Sequence, residues 1–176
     1  MNGYVVQTTK IVDHGANSLR YNIVILGDGY KASELAKYHA DVQNFFDTMR
    51  ATAPYNDLWC AFNVYCVDVV STDSGAADPS TCGDGTTGSG ATPRTYFNST
   101  FCGGTDHNAR RLLTCDSVSA KNVAQMQVPE VHLTMVIVNS SEYGGSGGDV
   151  LTFSTNSQSA EIGLHESRSA TAATTR

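Results

Sequence analysis

The chain has 176 residues, of which 40% are hydrophobic and 16% charged, and its formal net charge is −6. This length suits one ordinary domain with a buried core, and the composition excludes a disordered chain. The longest apolar runs, residues 23–26 and 133–138, are too short to cross a bilayer, and the scattered basic residues of an acidic chain argue against a nucleic-acid partner.

The first half of the chain predicts a strand–helix–strand unit after a lead-in strand or arm in residues 1–20. Residues 22–30 are an apolar run that ends in glycines, which is typical of a buried strand that stops at a loop. Residues 33–50 place apolar side chains at helical spacing, and residues 62–70 are rich in β-branched and aromatic side chains. Together they predict one βαβ unit with a right-handed crossover.

The second half alternates glycine-rich loops with short elements. Residues 71–93 predict a long loop, and residues 108–114 a short helix. Residues 131–139 are the clearest buried strand, and residues 150–154 predict an edge strand that precedes a last helix beginning near Ser159. This order predicts an α/β fold with a mixed sheet of four to five strands.

The pair His165-Glu166 lies on that last predicted helix. It matches the first half of H-E-x-x-H, in which two imidazoles one turn apart bind zinc and the glutamate acts as general base. Ser169 stands where the second imidazole belongs. The alternative is a solvent-facing His-Glu pair without a metal.

Two glycine motifs are weaker candidates. The segment GDGYKA, with Gly27 and Gly29, resembles a dinucleotide fingerprint, but Asp68 comes too late to bind the ribose, so the glycines are expected to serve a turn. The segment YGGSGG lacks the lysine of a phosphate loop. His39 and His132 are expected to be structural.

The five cysteines include no C-x-x-C pair, which disfavours a zinc ribbon. They predict one or two disulfides in an exported protein, with Cys102 bonded to Cys82 or Cys115. Cys60 and Cys66 are alternatively small buried hydrophobes. The first ten residues carry no signal-peptide pattern.

Five segments follow one another along the chain: NIVILGDGY, FNVYCVDVVSTDSGAADP, RTYFNSTFC, VHLTMVIVNSSEYGGSGG and EIGLHE. In this combination they resemble the IgA peptidase family of zinc metallopeptidases, over about residues 20–166. The resemblance implies a zincin-like three-layer domain with a mixed, mostly parallel twisted sheet, usually secreted by bacteria. It also implies a peptide or protein substrate and one zinc ion.

Carried over to this chain, the resemblance makes His165 the first zinc ligand and Glu166 the catalytic base. Residues 167–176 contain no His, Asp, Glu or Cys and depart from the family pattern, so we expect a domain in residues 1–166 followed by a non-family tail. The expected chain is the upper part of the domain, interrupted inside its H-E-x-x-H helix, with weak or absent zinc binding and little activity. The alternative is a non-catalytic α/β binding module that retains the cleft and the edge strand.

Overall fold

One mixed β-sheet organises the part of the chain that the computed structural model describes, which is residues 2–103, 109–159, 161, 163 and 164. Its strands are β1 (Gly3–Val12), β2 (Tyr21–Asp28), β3 (Phe62–Ser71), β4 (Leu133–Val138), β5 (Gly145–Ser146) and β6 (Leu151–Ser154). The helices are α1 (Leu35–Ala51), α2 (Tyr55–Leu58) and α3 (Ser117–Gln127). The predicted α/β class is therefore confirmed.

The strand order in the sheet is β1-β3-β2-β4-β6-β5. The four inner strands are parallel to their neighbours, whereas β1 pairs antiparallel with β3, and β5 pairs antiparallel with β6. Antiparallel strands therefore form both edges of a parallel centre. None of the described helices is long and apolar enough to cross a membrane.

Both faces of the central strands are covered, which explains their continuous apolar sequences. On β2, Ile23 and Ile25 pack beneath α1, while Val24 and Leu26 pack against α3 and the loop segments of the opposite face. The same alternation runs through β3 and β4. The three strands predicted at residues 22–30, 62–70 and 131–139 are accordingly found, with ends shifted by no more than two residues.

Helix α1 confirms the helix predicted at residues 33–50. It begins two residues later because residues 32–34 form a 3-10 turn, in which the Glu34 carboxylate accepts a hydrogen bond from the Lys31 amide at 2.9 Å. Its buried side chains recur at three- and four-residue spacing, which lays one stripe on the sheet. They are Tyr38, Val42, Phe45, Phe46 and Met49.

Helix α3 was not predicted from the sequence. Asp116 caps it, because its carboxylate accepts a hydrogen bond from the Ser119 amide at 3.1 Å. The buried stripe consists of Ala120, Val123 and Ala124, which are small side chains that carry little apolar signal. The helix therefore covers the second face of the sheet with a short contact surface.

Three predictions about the second half are wrong. Residues 109–114 form turns and one bridge instead of a helix, because their backbone groups pair with residues 100–103 and with β5. The described sheet has six strands rather than four to five. Strand β6 lies inside the sheet, and the edge is β5, which falls within the segment predicted to be a glycine loop.

Removing the Phe153 ring tests how much the packing of α1 on the sheet contributes to stability. The ring is 1% exposed and stacks on Phe45 with centroids 4.5 Å apart. We expect Phe153→Ala to lower the free energy of unfolding by about 3–5 kcal/mol, because it leaves a cavity between β6 and α1. Urea denaturation measures this loss. The control Met126→Ala, at a side chain that is 71% exposed, should change stability by less than about 0.5 kcal/mol, and equal losses in both variants would contradict the packing argument.

Candidate active site

A cluster of hydroxyl groups fixes the start of the last helical segment to the edge of the sheet. Ser159 is fully buried, and its Oγ lies 2.8 Å from Ser154 Oγ at the end of β6. The same hydroxyl oxygen accepts a hydrogen bond from the Gly144 amide at 3.2 Å, next to β5. One side chain therefore joins the helix start to both strands of the β5–β6 corner.

The helical segment that starts at Ser159 packs on α1 and β6. Leu164 is 5% exposed, and its carbonyl accepts a hydrogen bond from the Tyr55 hydroxyl at 3.0 Å. A Cβ added at Gly163 would lie 2.9 Å from the Phe45 ring and 3.2 Å from the Phe153 ring, so only glycine allows this close approach. The predicted helix near Ser159 is thus found.

The two predicted site residues come next in the chain. His165, the predicted metal ligand, and Glu166, the predicted base, lie outside the described residues, as do residues 167–176. The structure defines the segment that leads to them: the Leu164 side chain belongs to the core cluster beneath α1, and its carbonyl accepts a hydrogen bond from Tyr55 of α2. The roles of His165 and Glu166 stay predictions.

The edge strand β5 already has a backbone partner from the same chain. The Gly145 amide donates to the Arg111 carbonyl at 3.0 Å, and the Ser146 hydroxyl donates to the Leu113 carbonyl at 2.6 Å. A side chain at Gly144 would collide with the Phe101 ring and the Arg111 carbonyl. The glycines of YGGSGG therefore allow residues 111–113 to lie directly against the sheet edge.

An open cavity of about 330 Å³ lies near this edge, between the segments that follow β3 and β4. Arg110 lines this cavity and donates two hydrogen bonds to the Asp78 carboxylate, at 2.9 and 3.1 Å. It also forms an ion pair with Glu142 at 3.0 Å. The hydrogen bond from Arg110 is the largest cause that holds the pKa of Asp78 below its ordinary value. This ion-pair network links residues 78, 110 and 142 on three loops.

The glycines of GDGYKA serve packing. Gly29 has a φ of +71°, and a Cβ there would collide with the Gly75 carbonyl oxygen. A Cβ at Gly27 would lie 3.0 Å from the Tyr38 ring. Between the glycines, the buried Asp28 carboxylate accepts hydrogen bonds from the backbone of the 97–99 segment. This supports the prediction that the motif shapes a turn, because its backbone faces protein rather than an open phosphate site.

Three metal-ligating side chains meet at another place in the described part of the chain. His39 of α1 and Cys66 and Asp68 of β3 bring their ligand atoms within 4.8 Å of one another. Strands β2 and β4 separate β3 from β6, so this group is separate from the helical segment that begins at Ser159 after β6. Sequence spacing did not reveal this group, because His39 and Cys66 are 27 residues apart in the chain and meet only when α1 packs on β3.

The structure pairs two of the five cysteines and gives His132 a structural role. Cys82 and Cys102 form a disulfide, one of the two pairings predicted for Cys102, while Cys60, Cys66 and Cys115 are free. His132 Nδ1 lies 3.1 Å from the Asn22 amide, and the ring stacks on Tyr21, as expected for a structural histidine. His132 precedes β4 rather than lying within it.

The family model described as IgA Peptidase M64 matches residues 9–172, which is most of the chain. The chain therefore belongs to the IgA peptidase M64 family of metallopeptidases, and the predicted resemblance is confirmed. No curated protein matches the chain significantly.

The Asp78–Arg110 ion pair predicts acid-sensitive stability. Because the folded-state pKa of Asp78 lies below the ordinary value of 3.8, its stabilisation is present above that value and is lost as the pH falls through the lowered pKa. We expect Asp78→Asn to lower the free energy of unfolding at pH 7 and to reduce its further loss below pH 4. Urea denaturation at a series of pH values checks this, with Asp57→Asn at an exposed position as control. An unchanged acid dependence in Asp78→Asn would contradict it.

Proposed function

We propose that this chain is part of a zinc-dependent endopeptidase domain, with His165 as a zinc ligand and Glu166 as the general base. The observation that carries the proposal is the order of elements in a member of this peptidase family. A short antiparallel edge strand, β5, is followed by the parallel strand β6 and then by the helical segment that leads to His165. In zinc peptidases the edge strand pairs with the extended substrate, while the following helix presents the metal ligands.

The donor chemistry of the pair suits zinc. His165 would hold the ion through an imidazole nitrogen, and a bound zinc ion lowers the pKa of its water to about 7. Glu166 would accept the proton at its carboxylate and later donate it to the leaving amine. Residues 167–176 supply no further His, Asp, Glu or Cys, so the other ligands must come from elsewhere.

The metal site that these residues make is incomplete. Neighbouring residues on a helix point about 100° apart, so His165 and Glu166 cannot both take part in one tetrahedral ligand set. We propose that this polypeptide binds zinc weakly at His165 and has little activity by itself. The proposed domain covers residues 1–166; the family match runs on to residue 172, so only composition separates the segment 167–176 from it.

Residues 111–113 of the chain compete with a peptide for the edge strand β5. The Gly145 amide, which an extended substrate pairing along β5 would use, already donates to the Arg111 carbonyl. Substrate must therefore displace residues 111–113 or pair farther along the edge. We propose that the domain acts outside the cell, which the Cys82–Cys102 disulfide supports because such bonds persist in oxidising compartments.

A second candidate is a non-catalytic peptide-binding module. The observation that favours it is the lack of metal-ligating side chains in residues 167–176. Both candidates keep the cleft and β5, but they predict different effects of Ser169→His. In a metallopeptidase helix the new imidazole would lie on the same face as His165 and share its zinc ion, whereas a binding module has no zinc ion at that position.

Ser169→His tests the proposed metal site. In a Cys66→Ser background, which removes the thiol of the separate His39–Cys66–Asp68 group, we expect this change to tighten zinc binding roughly tenfold or more, because it supplies the second imidazole of H-E-x-x-H. Calorimetry at neutral pH measures the affinity. Ser167→His is the matched control, since positions two apart do not share a helix face. Equal effects of the two histidines, or a gain that survives His165→Ala, would contradict the site.

Peptide hydrolysis tests the role of Glu166. We expect the unmodified chain to cleave an unfolded protein such as casein at the background rate, and Glu166→Gln to leave that rate unchanged, because the zinc site is incomplete. Release of new amino termini measures cleavage. Chelator-sensitive hydrolysis that Glu166→Gln abolishes would contradict the expected inactivity and establish a complete site instead. Chelator-sensitive hydrolysis that survives Glu166→Gln would overturn the assignment of this base.

A further inference from the structure

The second group of metal-ligating side chains lies between α1 and β3. Cys66 and Asp68 are two residues apart on the strand, so both side chains point to the face that α1 covers. His39 reaches them from the helix, and its Nε2 lies 2.7 Å from Asp68 Oδ1. One nitrogen, one sulfur and one oxygen therefore converge from two elements that are rigidly packed together.

The Asp68 carboxylate is buried and lacks a permanent cation. Its side chain is 4% exposed, and its other oxygen accepts a hydrogen bond from the Gln7 amide at 2.9 Å. In the described residues its ion-pair partner is His39, which carries a charge only when protonated. Because a buried carboxylate is costly without a compensating charge, this position favours a bound cation.

We propose that His39, Cys66 and Asp68 form a structural binding site for a zinc-like divalent cation. Zinc accepts imidazole, thiolate and carboxylate ligands at about 2.0–2.3 Å, and a thiolate disfavours magnesium and calcium. The ligand atoms, all within 4.8 Å of one another, need only small side-chain rotations to surround one ion. Gln7 stands beside Asp68 as a candidate fourth ligand if its amide turns its oxygen inward.

A metal ion can reach the proposed site from solvent. The His39 side chain is 49% exposed, so an ion enters from solvent on the helix side. A cysteine binds a metal ion as the thiolate, so formation of a thiolate–metal bond is a direct signal of occupancy.

This site is separate from the sheet edge where the peptidase centre is proposed. Strands β2 and β4 lie between β3 and β6, which places β3, with Cys66 and Asp68, roughly 14 Å from β6 at a strand spacing of about 4.8 Å. The ion would join α1 to β3 and, through Gln7, to β1. It would therefore stabilise the fold rather than act on a peptide.

Titration of the full chain with Co²⁺, the spectroscopic substitute for zinc, tests the proposal. We expect a thiolate-to-cobalt charge-transfer band at one ion per chain, displaced by zinc. Cys66→Ser should abolish the band, and His39→Gln should weaken binding by more than the roughly 10–100-fold typical of outer-shell changes. Cys60→Ser and Cys115→Ser, at the other free cysteines, are matched controls that should keep it.

Two further measurements keep the result decisive. His165→Ala should leave the cobalt band unchanged, which separates this site from the proposed peptidase centre. Zinc should raise the melting temperature of the unmodified chain but not that of His39→Gln, whose half-exposed position tolerates the change if Cys66→Ser fails to fold. Absence of the band in the unmodified chain, or its persistence in folded Cys66→Ser, would overturn the proposal.

Discussion

The buried carboxylate of Asp28 is the constraint on which the architecture around the sheet edge depends. It accepts hydrogen bonds from the Ser71 hydroxyl at 3.2 Å and from the Phe97 and Ser99 amides at 3.0 Å each. A buried carboxylate needs such donors, so the segment that supplies them is drawn to the end of β2. From there Thr100 pairs with Thr114, which brings residues 111–113 against β5. The Asp28 side chain thus determines, through two loops, what lies on the sheet edge.

The β5–β6 corner connects that edge to the last helical segment. Ser159 bonds to Gly144 beside β5 and to Ser154 at the end of β6, so edge and helix cannot move independently without losing buried hydrogen bonds. Phe153 and Phe45 then hold the helix from below at Gly163. A peptidase needs this coupling, because a peptide paired with the edge must meet its catalytic groups at a fixed distance. The occupied Gly145 amide makes residues 111–113 part of the same geometry.

Secondary structure could be predicted from the sequence where large buried side chains recur at regular spacing or form a continuous run. The inner strands at residues 22–30, 62–70 and 131–139 were predictable because both of their faces are covered, and α1 because large side chains mark its stripe. Helix α3 was missed because its stripe is made of small residues, and β5 because two residues of a glycine-rich segment become a strand only through pairing with β6. Five segments spread over about residues 20–166 predicted the family, yet no local pattern could predict that Asp68 and His39 meet, since that contact requires the packed βαβ unit.

Helix α1 contacts both the proposed cation site and the last helical segment. His39 lies near its start, above β3, and Phe45 lies six residues later, against Gly163 of the segment that leads to His165. A cation bound at His39, Cys66 and Asp68 would replace one hydrogen bond by a rigid junction and would restrict rotation of α1 about its own axis. Phe45 stacks on Phe153 and limits the space at Gly163, so α1 is in direct contact with the last helical segment. A cation bound by His39, Cys66 and Asp68 would therefore also support the segment that leads to the predicted site residues His165 and Glu166, because close-packed elements transmit small displacements.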